Sequence, residues 1–551
     1  MPDAATPPSS SGAATVGGDS PVEQSGAMTH REVLEAMSGL LLALFVAMLS
    51  STVVSNALPR IVESLHGSQT GYTWVVVATL LAMTATTPIW GKLADQFSKK
   101  TLVQSALVIY VAGSVIAGTA ANMEVLIGAR VIQGLGAGGL TALVQVVIAS
   151  MVSPRERGRY SGYLGAVFAA ATVSGPLIGG LIVDTPGLGW RWCFYVGIPF
   201  AIAAFVLLQK TLHLPVVRSE HHIDYLGSAL LMGGVSLLLV WVSLAGSSFA
   251  WASPTSYALV VVGLLVLVGA LYVEARVAVA PIMPLHLFRD RTFALATAAS
   301  VLIGVVMFGA TVYLSQYFQI ARGMSPTHAG LMTVFMVGGL VVSSMATGRV
   351  ISRTGTWKRY LVGGMVAVVV GIGLLGRIDA TTPLRVLAVD MAVLGIGLGA
   401  TMQNLVLSVQ NNTAQSEMGA ASSLVAFFRS LGGSIGVAVL GAVLSHQVAG
   451  RVSSGLARMG VPADSHQSHE IPDLSTLPAP IRSLFEGAFG EATGHIFWIA
   501  LPFAALALVC VLFIREVPLR TTILREDEMA RREGALETAP TAEVVTSRVA
   551  G

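Results

Sequence analysis

Three charged residues inside long apolar stretches are the first candidates for chemistry in this sequence. Arg130 lies in LIGARVIQGLGAGGL, Asp390 in LAVDMAVLGIG and Arg429 in FFRSLGGSIG. An ion in such surroundings costs about 2.5–3.5 kcal/mol on insertion scales, unless it has a partner or a water-filled cavity. A carboxylate placed there is also a candidate for proton exchange near neutral pH. The sequence therefore predicts charge pairing or proton transfer inside an apolar protein.

The elements that must position these charges are membrane-spanning helices. The chain has 551 residues, of which 54% are hydrophobic and only 11% charged, a composition that excludes an ordinary soluble enzyme. Crossing about 30 Å of hydrocarbon takes about 20 apolar residues in a helix, and the chain contains about fourteen such runs. We number them spans 1 to 14. They lie near 37–58, 72–92, 102–121, 124–150, 159–183, 193–211, 224–245, 257–277, 293–318, 327–351, 360–378, 384–406, 419–446 and 494–515.

The distribution of basic residues predicts the orientation, because cytoplasmic loops retain Lys and Arg. Lys99 and Lys100, PRERGR (154–159) and FRDR (288–291) fall in alternate loops, whereas the other loops are poor in cations. Both chain termini are therefore predicted on the cytoplasmic side. The formal net charge of +3 follows from this bias and gives no sign of a nucleic-acid surface.

A weak internal repeat predicts two halves. GKLADQFSKKTLV (91–103) closes span 2, and GRVISRTGTWKRYLV (348–362) closes span 10. The two copies bracket an extra pair of spans, which indicates six plus two plus six helices. The predicted organisation is a disordered cytoplasmic tail (1–36), a first half (37–211), two inserted helices (212–280), a second half (281–515) with an external loop at 447–493, and a cytoplasmic tail (516–551).

No cofactor, metal or catalytic group is predicted. The glycines after Arg130 imitate a dinucleotide-binding loop, but they lie in a membrane helix without a preceding strand, and nothing resembles a Walker A loop. Cys193 and Cys510 are predicted on opposite sides of the membrane and cannot pair. His466 and His469 in the external loop lack the spacing of a helical zinc site, so a membrane enzyme is only a remote alternative.

Several motifs together resemble the fourteen-span drug:proton antiporters of the major facilitator superfamily. They are GKLADQFSKK, ARVIQGLGAGG, VSGPLIGG (173–180), WRWCFYVGIP, PIMPLHLFRDRTF and FFRSLGGSIG, and the resemblance covers about 37–515. It implies an all-α fold of two six-helix halves plus two linker helices. The implied activity is export of small hydrophobic or cationic molecules across the lipid bilayer by alternating access, in exchange for protons.

The resemblance implies conformational roles for two motifs. Asp95, with Lys99 and Lys100 beside it, ends a helix where the macrodipole disfavours a carboxylate, so we expect it to form a latch with Arg157 or Arg159. A solvated surface charge is the alternative. The residues of the VSGPLIGG motif, Gly175, Pro176, Gly179 and Gly180, are expected to form a pivot in span 5, or else a static kink. Arg429 is expected to pair across the interface of the halves.

One departure from the family pattern concerns the proton site. Span 1 contains LSSTVVSNALP, with Ser50 where the family usually has an aspartate, and Gly197 stands where the family often has asparagine. The hypothesis that remains is proton coupling through Asp390 together with Arg130. The alternatives are that Asp390 is a structural carboxylate, wet or paired with Arg385, and that Arg130 only extends to the membrane interface.

The substrate cavity is expected between the central spans of both halves. Polar candidates are Ser50, Asn56, Gln133, Gln316, Gln403 and Asn404, and hydrophobic candidates are Met307, Phe308, Phe335, Met336 and Phe427. Methionine and aromatic side chains suit adaptable apolar binding, although such residues also face lipid or core. We therefore predict a proton-driven exporter in the cytoplasmic membrane of a bacterium. An uncoupled exporter of lipids or other solutes is the alternative.

Overall fold

A computed structural model describes residues 30–66, 69–185, 187–212, 224–246, 249–278, 281–459 and 478–520. These residues are almost entirely helical, and fourteen of their helical segments are long and apolar enough to cross a membrane, which confirms the predicted number. The predicted tails 1–36 and 516–551 lie mostly outside the described residues.

The helices follow the predicted spans closely. In chain order they are α1 (His30–Ser64), α2 (Gln69–Gln96), α3 (Lys99–Gly118), α4 (Met123–Met151), α5 (Pro154–Asp184), α6 (Trp192–Tyr195), α7 (Gly197–Thr211), α8 (Tyr225–Leu244), α9 (Pro254–Arg276), α10 (Arg291–Ile320), α11 (Pro326–Met332), α12 (Val334–Thr354), α13 (Lys358–Leu375), α14 (Leu384–Asn412), α15 (Met418–Arg458) and α16 (Ala479–Phe513). Span 6 consists of α6 and α7, and span 10 consists of α11 and α12. Short 3₁₀ helices precede α10 and α15.

Capping residues fix where several of these helices begin and end. The Asn122 side chain accepts a hydrogen bond from the Val125 amide at 2.9 Å, and Asp290 does the same for Phe293 at 2.7 Å. These bonds satisfy amides that have no partner within the helix. Gly355 ends α12 with a positive φ of 73°, a backbone conformation that glycine adopts without a steric penalty.

The buried apolar side chains form separate cores in the two halves. One core cluster draws only on residues between Met283 and Leu519, and two further clusters draw only on residues between Val33 and Leu212. Each half therefore has its own interior. The end of the bundle where α1 begins and α16 ends is called the terminal end below, and the other is called the opposite end.

The two inserted helices pack beside the seam between the halves. Leu231 and Leu239 of α8 share a cluster with Ala270 of α9, Phe427 of α15 and the partly buried Leu81 of α2. Phe427 was predicted to line the substrate cavity. The structure corrects this, because its ring is buried against the inserted helices.

The predicted external loop at 447–493 is also corrected. α15 continues to Arg458 and α16 begins at Ala479, so much of this segment is helical. At 1.5 Å per residue the two helices are about 60 and 50 Å long, well beyond a hydrocarbon core of about 30 Å. They therefore protrude as a hairpin in which Leu456 packs with Ala488. His466 and His469 lie outside the described residues.

We expect the substitution Gly395→Ala to destabilise the second half. A Cβ at Gly395 would lie 1.9 Å from the Met336 carbonyl oxygen, because α12 and α14 cross there at backbone contact. Such overpacking costs roughly 1–3 kcal/mol. The measurement is thermal unfolding of the purified protein in detergent. Gly363→Ala in α13 is the matched control, since its Cβ would meet nothing within 4 Å. Equal unfolding temperatures for the two variants would contradict the packing argument.

Candidate functional site

A buried polar network joins three helices of the first half. Gln133 of α4 is 1% exposed, and its Nε2 donates hydrogen bonds to Ser50 Oγ of α1 at 3.0 Å and to Ser114 Oγ of α3 at 2.8 Å. Its Oε1 accepts a hydrogen bond from Arg130 Nη1. The arginine thus meets a neutral amide in a network that contains Ser50.

Arg130 lies inside the protein and does not extend to the membrane interface. Arg130 is only 3% exposed, and its Nε donates a hydrogen bond to the Val75 carbonyl oxygen of α2 at 3.2 Å. Ile148 lies eighteen residues later, which is five helical turns, and therefore on the same face of α4. Because Ile148 lines the cleft between the halves, Arg130 lies on the α4 face that is directed toward the centre of the molecule.

The cleft between the halves is formed by α4 and α5 on one side and α14 on the other. Its lining residues are Gln145, Ile148, Arg157, Tyr160, Leu164, Gln403, Val406, Leu407 and Gln410. Gln145 Nε2 donates a hydrogen bond to Gln403 Oε1 at 3.4 Å across it. Gln403 is thus one predicted cavity residue that the structure does place in the cleft.

Arg157 joins the two halves through a neutral amide. Its Nη1 donates a hydrogen bond to Gln410 Oε1 of α14 at 2.9 Å, and its Nε donates to the Val152 carbonyl oxygen at 2.8 Å. Gln410 Nε2 in turn donates to Ser422 Oγ of α15 at 2.9 Å. Arg159, the other predicted latch cation, is exposed.

Asp95 is bound by the start of a helix, which corrects the predicted latch with Arg157 or Arg159. The backbone amides of Gly419 and Ala420 donate hydrogen bonds to its two carboxylate oxygens at 2.7 and 2.9 Å. These amides belong to the first turn of α15, where the helix dipole favours an anion. In place of the expected cationic side chain, a helix N-terminus of the other half binds the carboxylate.

The flanking basic pair has different surroundings. Lys100 Nζ donates a hydrogen bond to the Gln209 carbonyl oxygen at 2.7 Å, so it binds α7 of its own half. Lys99 is partly buried near Asp95. Neither lysine joins the two halves through a described hydrogen bond.

Arg155 makes a contact between the halves that the sequence reasoning missed. Its Nε and Nη2 donate hydrogen bonds to the carbonyl oxygens of Ser352 and Arg353 at 3.1 and 3.0 Å. These carbonyls end α12, where a cation is favoured by the helix dipole. The basic loop PRERGR indicated a contact here, but the predicted latch used the neighbouring Arg157 and Arg159. Nearby, the main chain of Arg520 bonds to both Arg155 and Asn411, and burial lowers the pKa of the Arg520 guanidinium.

Asp390 does not face this cleft. It is 5% exposed, and Gly397, seven residues later on the same face of α14, contacts Val368 of α13. Arg377, just beyond α13, is a cation that acts on it electrostatically, in place of the expected Arg385. Asp390 therefore lies against α13 and outside the cleft, and its role in proton transfer stays a prediction.

The VSGPLIGG motif packs against α1. A Cβ at Gly175 would lie 2.0 Å from Thr52 Oγ1, and Thr52 Oγ1 itself donates a hydrogen bond to the Ala171 carbonyl oxygen at 3.2 Å. The helix α5 runs through the motif without a break, and Gly179 is buried. The side chain of Pro176 and the surroundings of Gly180 lie outside the described part of the structure, and the pivot remains a prediction.

Most of the other predicted cavity residues have different environments. Met307 and Met336 are buried in the core of the second half, and Asn404 Nδ2 donates to the Ala400 carbonyl oxygen of its own helix at 2.6 Å. Phe335 is 46% exposed on an outer face of α12. The remaining candidates are Gln316, which is partly buried, Phe308, which packs on α15, and Asn56, whose side chain is not described.

In the part of the chain that the structure describes, no group of three or more His, Cys, Asp or Glu side chains could hold a metal ion.

The chain was compared with known proteins. The family model described as Major Facilitator Superfamily matches residues 40–437. An uncharacterized MFS-type transporter of Mycobacterium tuberculosis is 34% identical over 482 residues, covering 88% of this chain and 69% of that protein. The multidrug transporter protein MdtP of Bacillus subtilis is 30% identical over 539 residues, covering 93% of this chain and 98% of the relative.

Solved structures give the same fold at low identity. The MFS proton:xylose symporter XylE aligns with a TM-score of 0.61 and 12% identity, covering 88% of this chain and 96% of the symporter. At this identity the similarity concerns the arrangement of helices alone.

We expect Asp95→Asn to weaken the contact between the halves at the terminal end. Asparagine keeps one acceptor oxygen, but it has no charge for the α15 dipole and its NH₂ group cannot accept a hydrogen bond from the second α15 amide. The combined loss is at least about 1 kcal/mol and hence at least about fivefold in the equilibrium. A cysteine at Gln145, in a background in which Cys193 and Cys510 are replaced by serine, reports access to the cleft. Labelling by an impermeant maleimide from the terminal side should become several-fold faster.

The control for this experiment is Glu124→Gln, which removes an exposed carboxylate at the start of α4. It should leave the labelling rate unchanged. A rate in Asp95→Asn equal to that of the control would show that Asp95 does not hold the halves together.

Proposed function

The chain belongs to the major facilitator superfamily, and from that membership we propose that it is a secondary active exporter of small hydrophobic molecules, driven by proton antiport. The relative MdtP is named a multidrug transporter. The cleft between the halves is lined by Ile148, Leu164, Val406 and Leu407 beside three glutamines, which suits ligands held mainly by apolar contact.

The observation that carries the proposal is the position of the contacts between the halves. The described hydrogen bonds that join them involve Asp95, Gln145, Arg155 and Arg157, all toward the terminal end of their helices. The apolar cores of the two halves are separate. The helix pairs α2–α15 and α5–α12 also pack closely across the interface. We therefore propose that one half rocks against the other about these pairs while the polar contacts break, which is how alternating access exposes a central site to each side in turn.

We place the terminal end in the cytoplasm, because the loops at that end carry the excess of Lys and Arg. With this orientation the described conformation is closed toward the cytoplasm. The proposed location is the cytoplasmic membrane of a bacterium, in which an inward proton gradient drives export.

Proton coupling supplies sufficient energy for useful export. One charge moving inward releases about 2.3 kcal/mol per 100 mV, and a tenfold concentration ratio needs about 1.4 kcal/mol, so one proton supports roughly 40-fold accumulation. Asp390 is the proposed proton carrier, because it is a buried carboxylate near the end where protons would enter. Its position outside the cleft is compatible with this role only if protons reach it separately from the substrate.

Uncoupled export of lipids or other solutes is the second candidate. It is favoured by Ser50 of span 1, whose hydroxyl accepts a hydrogen bond from Gln133. A carboxylate at this position could have carried a proton, whereas a hydroxyl does not.

Purified protein in liposomes with an imposed pH gradient tests coupling. We expect dansylamide, a neutral hydrophobic compound, to dissipate the gradient with wild-type protein and to have at least tenfold less effect with Asp390→Asn, which cannot be deprotonated. Glu491→Gln, at a 64% exposed carboxylate of the same end, is the control and should behave as wild type. Wild-type dansylamide transport that ignores the gradient would overturn antiport. Drug-dependent flux that persists in Asp390→Asn would overturn only the assignment of the carrier.

A further inference from the structure

In the described structure, Arg130 has N–H groups for which no hydrogen bond is found. A guanidinium carries five N–H groups. Arg130 donates one from Nε to the Val75 carbonyl oxygen and one from Nη1 to Gln133 Oε1. Both acceptors are neutral, and among the described residues no carboxylate pairs with it. The network around Arg130 therefore carries a full positive charge.

Arg429 is a second cation inside a membrane-spanning helix. It lies eleven residues, or roughly 16 Å, along α15 from the start of that helix. Among the described residues its side chain has no hydrogen-bond or ion-pair partner, yet the residue is only partly exposed. The lipid face of α15 is marked by Ile435 and Val439, which are 39% and 43% exposed.

The surroundings of Arg429 are apolar and lie toward α10. Gly433 follows one turn later on the same side of α15, and a Cβ there would lie 2.3 Å from the Phe308 ring. A Cβ at Gly304 of α10 would lie 2.1 Å from the Arg429 carbonyl oxygen. Arg429 therefore stands on the side of α15 that packs against α10 and Phe308, and not on the side that Ile435 and Val439 mark.

Two interior cations without a carboxylate form an electrostatic environment that favours anions. A buried charge with no counter-ion is costly, and an incoming anion that pairs with it recovers much of that cost. Guanidinium groups bind carboxylates and similar oxyanions through two parallel hydrogen bonds. By contrast, a cationic ligand would have to approach two positive charges in a low-dielectric interior.

We infer that the central site of this transporter takes amphipathic organic anions, with Arg429 binding the anionic group and Arg130 adding positive potential. This inference deepens the proposed function and rests on it. The family resemblance led us to expect cationic substrates. The inferred substrates are instead hydrophobic molecules that carry a carboxylate or a related oxyanion.

The test uses three fluorescent probes that share a dansyl group: dansylglycine is an anion, dansylamide is neutral and dansylcadaverine is a cation. Dissociation constants are measured by fluorescence titration of the purified full-length protein. We expect wild type to bind dansylglycine at least about tenfold more tightly than dansylcadaverine, with dansylamide between them. Equal binding of the three probes, or tighter binding of the cation, would overturn the inference without the use of any variant.

Variants then locate the site. Arg429→Gln should reduce the preference to about twofold or less, whereas Arg429→Lys, which keeps the charge but not the planar fork, should retain part of it. Arg353→Gln removes an exposed arginine at the end of α12 and should leave the preference unchanged. An undiminished preference in folded Arg429→Gln would refute the role of Arg429.

Repeating the titration in sodium chloride and in sodium gluconate separates an organic substrate from an inorganic co-ion. We expect the same preference in both salts. Loss of dansylglycine binding in about 100 mM chloride would assign the site to chloride and overturn the proposal. The binding assay does not depend on proton coupling. An anion preference without proton flux driven by dansylglycine would reject the exporter and leave the anion site standing. Proton flux driven by dansylamide without an anion preference would reject the anion site alone.

Discussion

A charge within a membrane protein must find its partner inside the protein, and this requirement organises the interior of this chain. Arg130 is held by the Val75 carbonyl and the Gln133 amide, Arg157 by Gln410, and Asp95 by the first amides of α15. None of these partners is an oppositely charged side chain. Amides and helix ends therefore stabilise these buried charges, as ion pairs do on the surface of soluble proteins.

Neutral partners have a consequence for motion. Removing one partner from a buried ion pair leaves a costly isolated charge. A carboxylate released from a helix N-terminus, or an arginine released from a glutamine, can exchange its partner for water once the cleft opens. Because Asp95 and Arg157 contact the other half in this way, the contact at the terminal end can break and reform at modest cost. The separate apolar cores let each half move as a unit.

The same arrangement leaves positive charge uncompensated inside the protein. Ser50 contributes a hydroxyl to the Gln133 network, so the charge of Arg130 is not cancelled from span 1. Arg429 adds a second cation on the side of α15 that packs against α10. Asp390 does not balance them, since it faces α13 and Arg377. Arg130 and Asp390 both lie roughly 10 Å from the opposite end, on α4 and α14, so the helix faces that they occupy separate them and their depth does not.

The sequence by itself determined the number of spans, the position of the inserted pair and the identity of the buried charges. These features follow from local composition, because any helix that crosses hydrocarbon needs about 20 apolar residues and cannot readily accommodate a charge without a function. The same reasoning required that Asp95 have a positive partner. It proposed Arg157 or Arg159 and did not identify the α15 N-terminus, since that contact depends on which helix packs against α2.

The tertiary structure alone decided which side of each helix faces the cleft. Phe427, Phe335 and Asp390 occur at sequence positions that suit a cavity, yet they face the inserted helices, the outer surface and α13. Membrane helices are apolar on every face, so the amphipathic pattern that orients a helix in a soluble protein is weak here. The extension of α15 and α16 beyond the membrane was hidden for a related reason. Their protruding turns are stabilised by contacts with each other, which the composition of either segment does not reveal.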